Sequence, residues 1–186
     1  MVRPGMPTFI AMLRGINVSG HKIIKMDQLR ASFTAMGFSN TKTYIQSGNI
    51  IFEASNDSTA NLSEKIGQRI LGDFGFSVPV TLKTAKEMEQ IIKRNPFLGM
   101  PAIDHSKLHV TFLDDDPPKK ALEQLLPLAS KPEQVHIIGQ EVFLYCPNGY
   151  GNTKLSNTAI EKKLSVGATT RNWKTVNTLL AMAQEH

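Results

Sequence analysis

Apolar positions along the chain change period several times, and each change marks an element. Thr8 to Arg14 is an unbroken apolar run ending in a charge, bounded by Pro7 and Gly15, and predicts a buried strand. Met26, Leu29, Phe33 and Met36 recur at helical spacing, and Gly37 stops that helix. Lys42 to Gln46 and Asn49 to Glu53 are strand-like runs joined through Ser47-Gly48, a hairpin signal. Leu62, Ile66, Ile70 and Phe74 sit four apart and predict a second amphipathic helix, closed by Gly75. Ser77 to Lys83 alternates as a strand does. The predicted order is βαββαβ, a ferredoxin-like unit.

A connecting helix follows, opened by a capping box of Thr84 and Glu87 and ended by Pro96. Asn95 to Lys107 has glycine, two prolines and no periodicity, which marks a linker. The expected boundary is residue 100, giving units 1–100 and 101–186. The second half repeats the pattern. Leu108 to Leu113 predicts a strand, Asp116-Pro117 a helix start, and Ala121, Leu122, Leu125 and Leu126 its apolar face. Val135 to Ile138 and Val142 to Tyr145 predict a hairpin across Gly139-Gln140-Glu141. Leu155, Ile160 and Leu164 suggest a helix, Thr169 to Arg171 a short extended piece at most, and Trp173, Val176, Leu179 and Leu180 one face of a last helix. The fold class is α+β: two ferredoxin-like, βαββαβ-type units, the second ending in extra helices.

The 186 residues are 41% hydrophobic and 20% charged, as in a globular chain with a real core. No apolar run approaches the roughly 20 residues of a membrane-spanning helix. The first residues carry no signal-type apolar segment, and a lone cysteine, Cys146, forms no internal disulfide, so a cytoplasmic protein is expected. Net charge is +5, and all of the excess lies in residues 1–100, with 12 basic and 7 acidic residues; residues 101–186 hold nine of each. That field suits anionic partners, although solubility alone accounts for it equally well.

Three segments concentrate polar chemistry. Leu13-Arg14-Gly15-Ile16-Asn17-Val18-Ser19-Gly20-His21-Lys22 leaves a strand for a helix, with Lys22 and Lys25 adding positive charge. A phosphate loop needs Lys and Ser or Thr directly after the second glycine; here His21 intervenes and Ile23 replaces the hydroxyl, so glycines that serve a turn are the better reading. Thr43-Tyr44-Ile45-Gln46-Ser47-Gly48-Asn49 crowds amides and hydroxyls at a hairpin tip; turn chemistry explains Ser47 to Asn49 but not Gln46. In Thr169-Thr170-Arg171-Asn172-Trp173, helix capping explains Thr170 or Asn172 and core packing explains Trp173, which leaves Arg171 as a ligand residue or a structural cation.

Other chemistry is poorly supported. His105 and His109 fall across a loop and a strand, not on one helix face, so no metal site is expected. Cys146 ends an apolar strand before Pro147 and reads as a core residue. Asp114-Asp115-Asp116 reads as helix N-terminal carboxylates. No Gly-x-Ser-x-Gly elbow is present. No motif names a cofactor, and the oligomeric state is not indicated.

Leu13-Arg14-Gly15-Ile16-Asn17-Val18, Thr43-Tyr44-Ile45-Gln46-Ser47-Gly48-Asn49, Asn95-Pro96-Phe97 and Thr170-Arg171-Asn172-Trp173, in this order, resemble the domain-of-unknown-function family 1697. The resemblance runs from Thr8 to Ala183. It implies the duplicated α+β organisation and attaches no reaction; many relatives have glycine where Ser19 stands.

In a ferredoxin-like sheet the first strand runs antiparallel to the third, so its exit lies beside the turn between strands two and three. Arg14 to Asn17 should therefore meet Gln46 to Asn49. The expected site comprises Arg14, Asn17, Gln46, Ser47, Asn49, Arg171 and Asn172, and binds or acts on a small polar anionic ligand in a cleft between the two units. The rivals are an RNA- or DNA-binding module, which would need exposed aromatics on the first and third strands, where Phe9 and Phe52 lie in apolar runs and read as core, and a non-catalytic assembly partner.

Overall fold

The computed structural model describes residues 5–55 and 57–185. The chain divides into two compact units, Met1–Glu89 with Thr178–His186, and Gln90–Asn177.

The first unit contains β1 (Thr8–Leu13), α1 (Met26–Ala35), β2 (Ser39–Tyr44), β3 (Asn49–Glu53), α2 (Thr59–Phe74) and β4 (Val80–Thr84). Its sheet has the order β2-β3-β1-β4, with every neighbour antiparallel. The period-2 alternation of β1 sends Phe9, Ala11 and Leu13 into one core with Ile50 and Phe52 of β3. The helical spacing of Leu29 and Phe33 on α1, and of Leu62, Ile66 and Ile70 on α2, brings those residues into the same core. Ile10, Met12 and Ile51 are buried as well, so β1 and β3 are covered on both faces. Local signals set the helix ends: Ser58 accepts from the Asn61 amide at the start of α2, and Gly75 closes it in the left-handed region at φ 80°. β2 starts at Ser39, three residues before the expected start and ending at Tyr44, because a bulge with Asn40 at φ 49° resets its register on β3.

Helix α3 (Ala85–Lys93) opens with the expected capping box: Glu87 accepts from the Thr84 amide and hydroxyl, and the Glu87 amide donates back to Thr84 Oγ1.

The second unit repeats the order with β5 (Leu108–Leu113), α4 (Ala121–Leu125), β6 (Gln134–Ile138), β7 (Glu141–Tyr145), α5 (Asn157–Leu164) and β8 (Ala168–Asn172), its sheet running β6-β7-β5-β8. The long last helix α6 (Trp173–Gln184) follows. Three readings change. Thr169 to Arg171 belongs to a full strand, β8, antiparallel to β5 along its length. Its residues lack apolar alternation; pairing with a central strand makes them a strand. Helix α4 begins at Ala121 and not at Pro117, after a turn. Glu141, expected in the turn, pairs with Ile138 and opens β7, leaving Gly139-Gln140 as a two-residue turn. Glu141 is 2% exposed and forms an ion pair with Arg94.

Candidate functional site

The exit of β1 and the β2–β3 turn meet. Met12 pairs with Asn49, and the Leu13 amide donates to the Gly48 carbonyl at 2.8 Å. Beyond Leu13 the chain makes a tight loop in which Gly15, Asn17, Ser19, Gly20 and Lys22 all hold positive φ. Asn17 ties that loop down with one carboxamide. Its Nδ2 donates to the carbonyls of Ile24 and Gln46, at 2.9 and 2.8 Å, and its Oδ1 accepts from the Ile24 amide at 2.8 Å. Asparagine suits both duties, because it tolerates the left-handed region and carries a donor and an acceptor. Lys22 Nζ donates to the Ser77 carbonyl at 2.8 Å and fixes the loop's far side.

A cavity of about 450 Å³ opens where these segments converge, lined by Asn17, Ile23, Ile24, Lys25, Met26, Asp27 and Gln46. Lys25 and Gln46 are exposed, and neither side chain is engaged by a partner among the described residues. Lys25 precedes α1, whose first turn has no side-chain cap. The Asp27 carboxylate is paired with Arg30, which also donates to Thr43 Oγ1 at 2.6 Å. The cavity thus offers a cation, a carboxamide and an apolar wall from Ile23, Ile24 and Met26.

The other residues expected here behave differently. Asn49 is fully buried; its carboxamide donates to the Tyr44 carbonyl at 3.1 Å and to Ser47 Oγ at 2.8 Å, so these two shape the turn. The Arg14 amide donates to the Pro79 carbonyl at 3.1 Å, and Arg14 is not among the cavity's lining residues. Ile23, Ile24, Met26 and Asp27 carried no legible signal: an apolar pair and a helix start look the same with or without a cavity beside them.

Arg171 and Asn172 stand on β8 of the second unit. Arg171 pairs with Val110 across the sheet and donates to the Thr170 carbonyl at 3.0 Å; burial pushes its guanidinium down to about 10, and it stays a cation at neutral pH. The Asn172 carboxamide oxygen accepts from the Thr175 amide at 2.8 Å, which caps α6. Thr170 belongs to a closed hydrogen-bond set. Its hydroxyl bonds Asn157 Oδ1 at 2.8 Å and Thr111 Oγ1 at 2.7 Å, Asn157 Nδ2 donates to the Ala168 carbonyl, and the Asn157 amide donates to the Tyr150 hydroxyl. That set locks β8 to α5.

His109 lies against it, its ring stacked on Tyr150 at 4.6 Å, with Nδ1 buried and unpartnered. Burial holds the imidazole below its ordinary value of 6.5, opposed in part by a backbone contact at Lys107. The unfolded chain therefore takes this proton more readily than the folded one. The contribution of a neutral His109 to stability should be fully present above the unfolded value of 6.5 and be lost as pH falls through it, until the folded histidine also protonates. His109→Phe should flatten the dependence of urea-unfolding stability on pH as it falls below about 6.5. An unchanged slope would assign that dependence to other groups.

Cys146 is fully buried, and burial pushes its thiol up to about 11, so it is an unreactive core residue. Among the described residues no group of three or more His, Cys, Asp or Glu side chains is placed to hold a metal ion. None of the described helices is long and apolar enough to cross a membrane.

A family model described as "Protein of unknown function (DUF1697)" matches residues 6–143. Among solved structures, the chain is similar to a conserved bacterial protein, SP0830, from Streptococcus pneumoniae, with 23% sequence identity and a TM-score of 0.75, over 96% of this chain and 99% of that one. This likeness shows the fold. No curated protein matches.

Proposed function

We propose that the chain, which belongs to the DUF1697 family of proteins of unknown function, binds a small anionic ligand in the cavity between the β1–α1 loop and the β2–β3 turn. The observation that carries this reading is the Asn17 tie. Two polar turns far apart in sequence are bolted together at a cavity of about 450 Å³, and the side chains left unengaged there are Lys25 and Gln46. Ligand sites typically have volumes of about 300–1,000 Å³ and a few placed polar groups. The loop also holds three non-glycine residues at positive φ, Asn17, Ser19 and Lys22, a backbone cost that clusters at ligand sites. Lys25 supplies the charge and Gln46 a donor and an acceptor; the excess of basic residues in this half of the chain raises the local concentration of anions.

The nucleic-acid reading would need exposed aromatics on the first and third strands. Phe9 and Phe52 are buried and stack on each other at 5.6 Å in the core, out of reach of bases.

Thermal-shift screening against phosphorylated and carboxylated metabolites tests the proposal. A ligand present at 100 times its Kd should stabilise the protein by about 2.7 kcal/mol. That gain should fall sharply in Lys25→Ala and in Gln46→Ala. Ligands whose effect survives both substitutions would place binding elsewhere.

A further inference from the structure

The cavity is lined by one charge that an anion alone does not explain. Asp27 stands on its wall two residues after Lys25, with its side chain 88% exposed. One of its oxygens is taken: Oδ1 accepts from Arg30, which also donates to Thr43 Oγ1 on β2 at 2.6 Å. The other oxygen, Oδ2, has no partner among the described residues. Arg30 thus holds the carboxylate in place and offsets part of its charge. A carboxylate accepts hydrogen bonds and donates none. A ligand made only of anionic oxygens gains from Lys25 and is repelled by Asp27. A ligand that brings its charge to Lys25 and a donor to Asp27 uses both groups, and the Gln46 carboxamide can serve either part. A hydroxyl fits the donor better than an ammonium does. Arg30 already balances Asp27, and the basic excess of residues 1–100 repels a cationic group.

We infer that the ligand is a small hydroxylated phosphate ester, with its phosphoryl group at Lys25 and a hydroxyl at Asp27. The inference rests on the site proposed above and specifies the ligand class. The cavity wall carries a lysine and no arginine, and lysine meets phosphate as a point charge, without the planar fork that suits a carboxylate. A carboxylate that accepts from a sugar hydroxyl is also the device by which dinucleotide sites hold ribose. Asp27 is then the specificity residue of the site: it penalises bare anions and rewards those that carry a donor.

The test uses the full chain with three probes at about pH 8, where phosphate esters are dianions with no P–OH left to donate: propyl phosphate, glycerol 3-phosphate and phosphoethanolamine. The wild type should bind glycerol 3-phosphate about 10-fold more tightly than propyl phosphate, the gain expected from a hydrogen bond to a charged acceptor. Asp27→Ala should abolish that preference and raise the affinity for propyl phosphate, because the charge of like sign is gone. Its ligand-free Tm should change little, since an exposed pair such as Asp27 with Arg30 contributes little to stability. Lys25→Ala should weaken both esters alike. Equal affinity of the wild type for glycerol 3-phosphate and propyl phosphate, with both lost in Lys25→Ala, overturns this inference and leaves the site standing. A preference that survives Asp27→Ala overturns it too, because the hydroxyl is then read elsewhere. Tighter binding of phosphoethanolamine than of glycerol 3-phosphate overturns it in favour of an ammonium. Failure of all three to bind also overturns it, and the site itself then stands or falls with the carboxylates of the screen above.

Discussion

Gly48→Ala should destabilise the protein by about 2–4 kcal/mol, the sum of a left-handed alanine and an overpacked contact. Gly48 sits at φ 84°, where an L side chain is strained. An added Cβ would also lie 2.8 Å from Leu13 Cβ and 2.7 Å from Ile16 Cδ1. Ile16 can turn part of the way aside, but Leu13 Cβ is fixed to the backbone of β1. The approach cannot widen cheaply, because the Leu13 amide donates to the Gly48 carbonyl at 2.8 Å. Gly15→Ala is the control: Gly15 has φ 70° and nothing within 4 Å of its added Cβ, so only the backbone cost remains, about 1 kcal/mol. Urea unfolding of the two variants isolates the close approach of turn and strand. Equal losses would mean that the contact relaxes and that the turn is not pinned against β1.

Asn17 should be the residue of the loop least tolerant of change. Asn17→Gly keeps the left-handed backbone and deletes the three carboxamide bonds, each worth about 0.5–1.5 kcal/mol net, so a loss of about 2–3 kcal/mol is expected. In the same variant the Ile24 amide loses its acceptor, and its hydrogen exchange should accelerate to that of an open loop. Ligand binding at Lys25 and Gln46 should disappear with it, since the two turns are no longer joined. Asn17→Asp retains the acceptor for the Ile24 amide but sets a carboxylate against the carbonyls of Ile24 and Gln46. That repulsion raises the aspartate above its free value near 3.9, so the variant should recover stability as pH falls and the carboxyl regains a proton to donate. Persistent protection of the Ile24 amide in Asn17→Gly would show that the loop is held by something other than this carboxamide.

Elements with strong local signals were legible from the chain alone. The short apolar runs of β1 and β5, the four-residue spacing of Leu62, Ile66 and Ile70, and the capping box at Thr84 and Glu87 encode strand, helix and helix start from neighbouring residues. Because antiparallel pairing in a βαββ unit follows from connectivity, the meeting of Asn17 with Gln46 could be anticipated without coordinates. What tertiary structure decided is where such short-range information is silent. β8 is a strand because β5 offers it a ladder, and its own Thr-Thr-Arg shows no apolar alternation. Asn49 looked like a turn residue open to a ligand and is instead buried with its carboxamide donated inward. Lys25 and Gln46 have roles set by what surrounds them: a cavity exists only where several segments fail to fill space, and no single stretch of sequence records that failure. Pattern determines which residues leave water; packing in three dimensions determines which polar groups are then left unpaired at a surface, and those are the groups with which a ligand can interact.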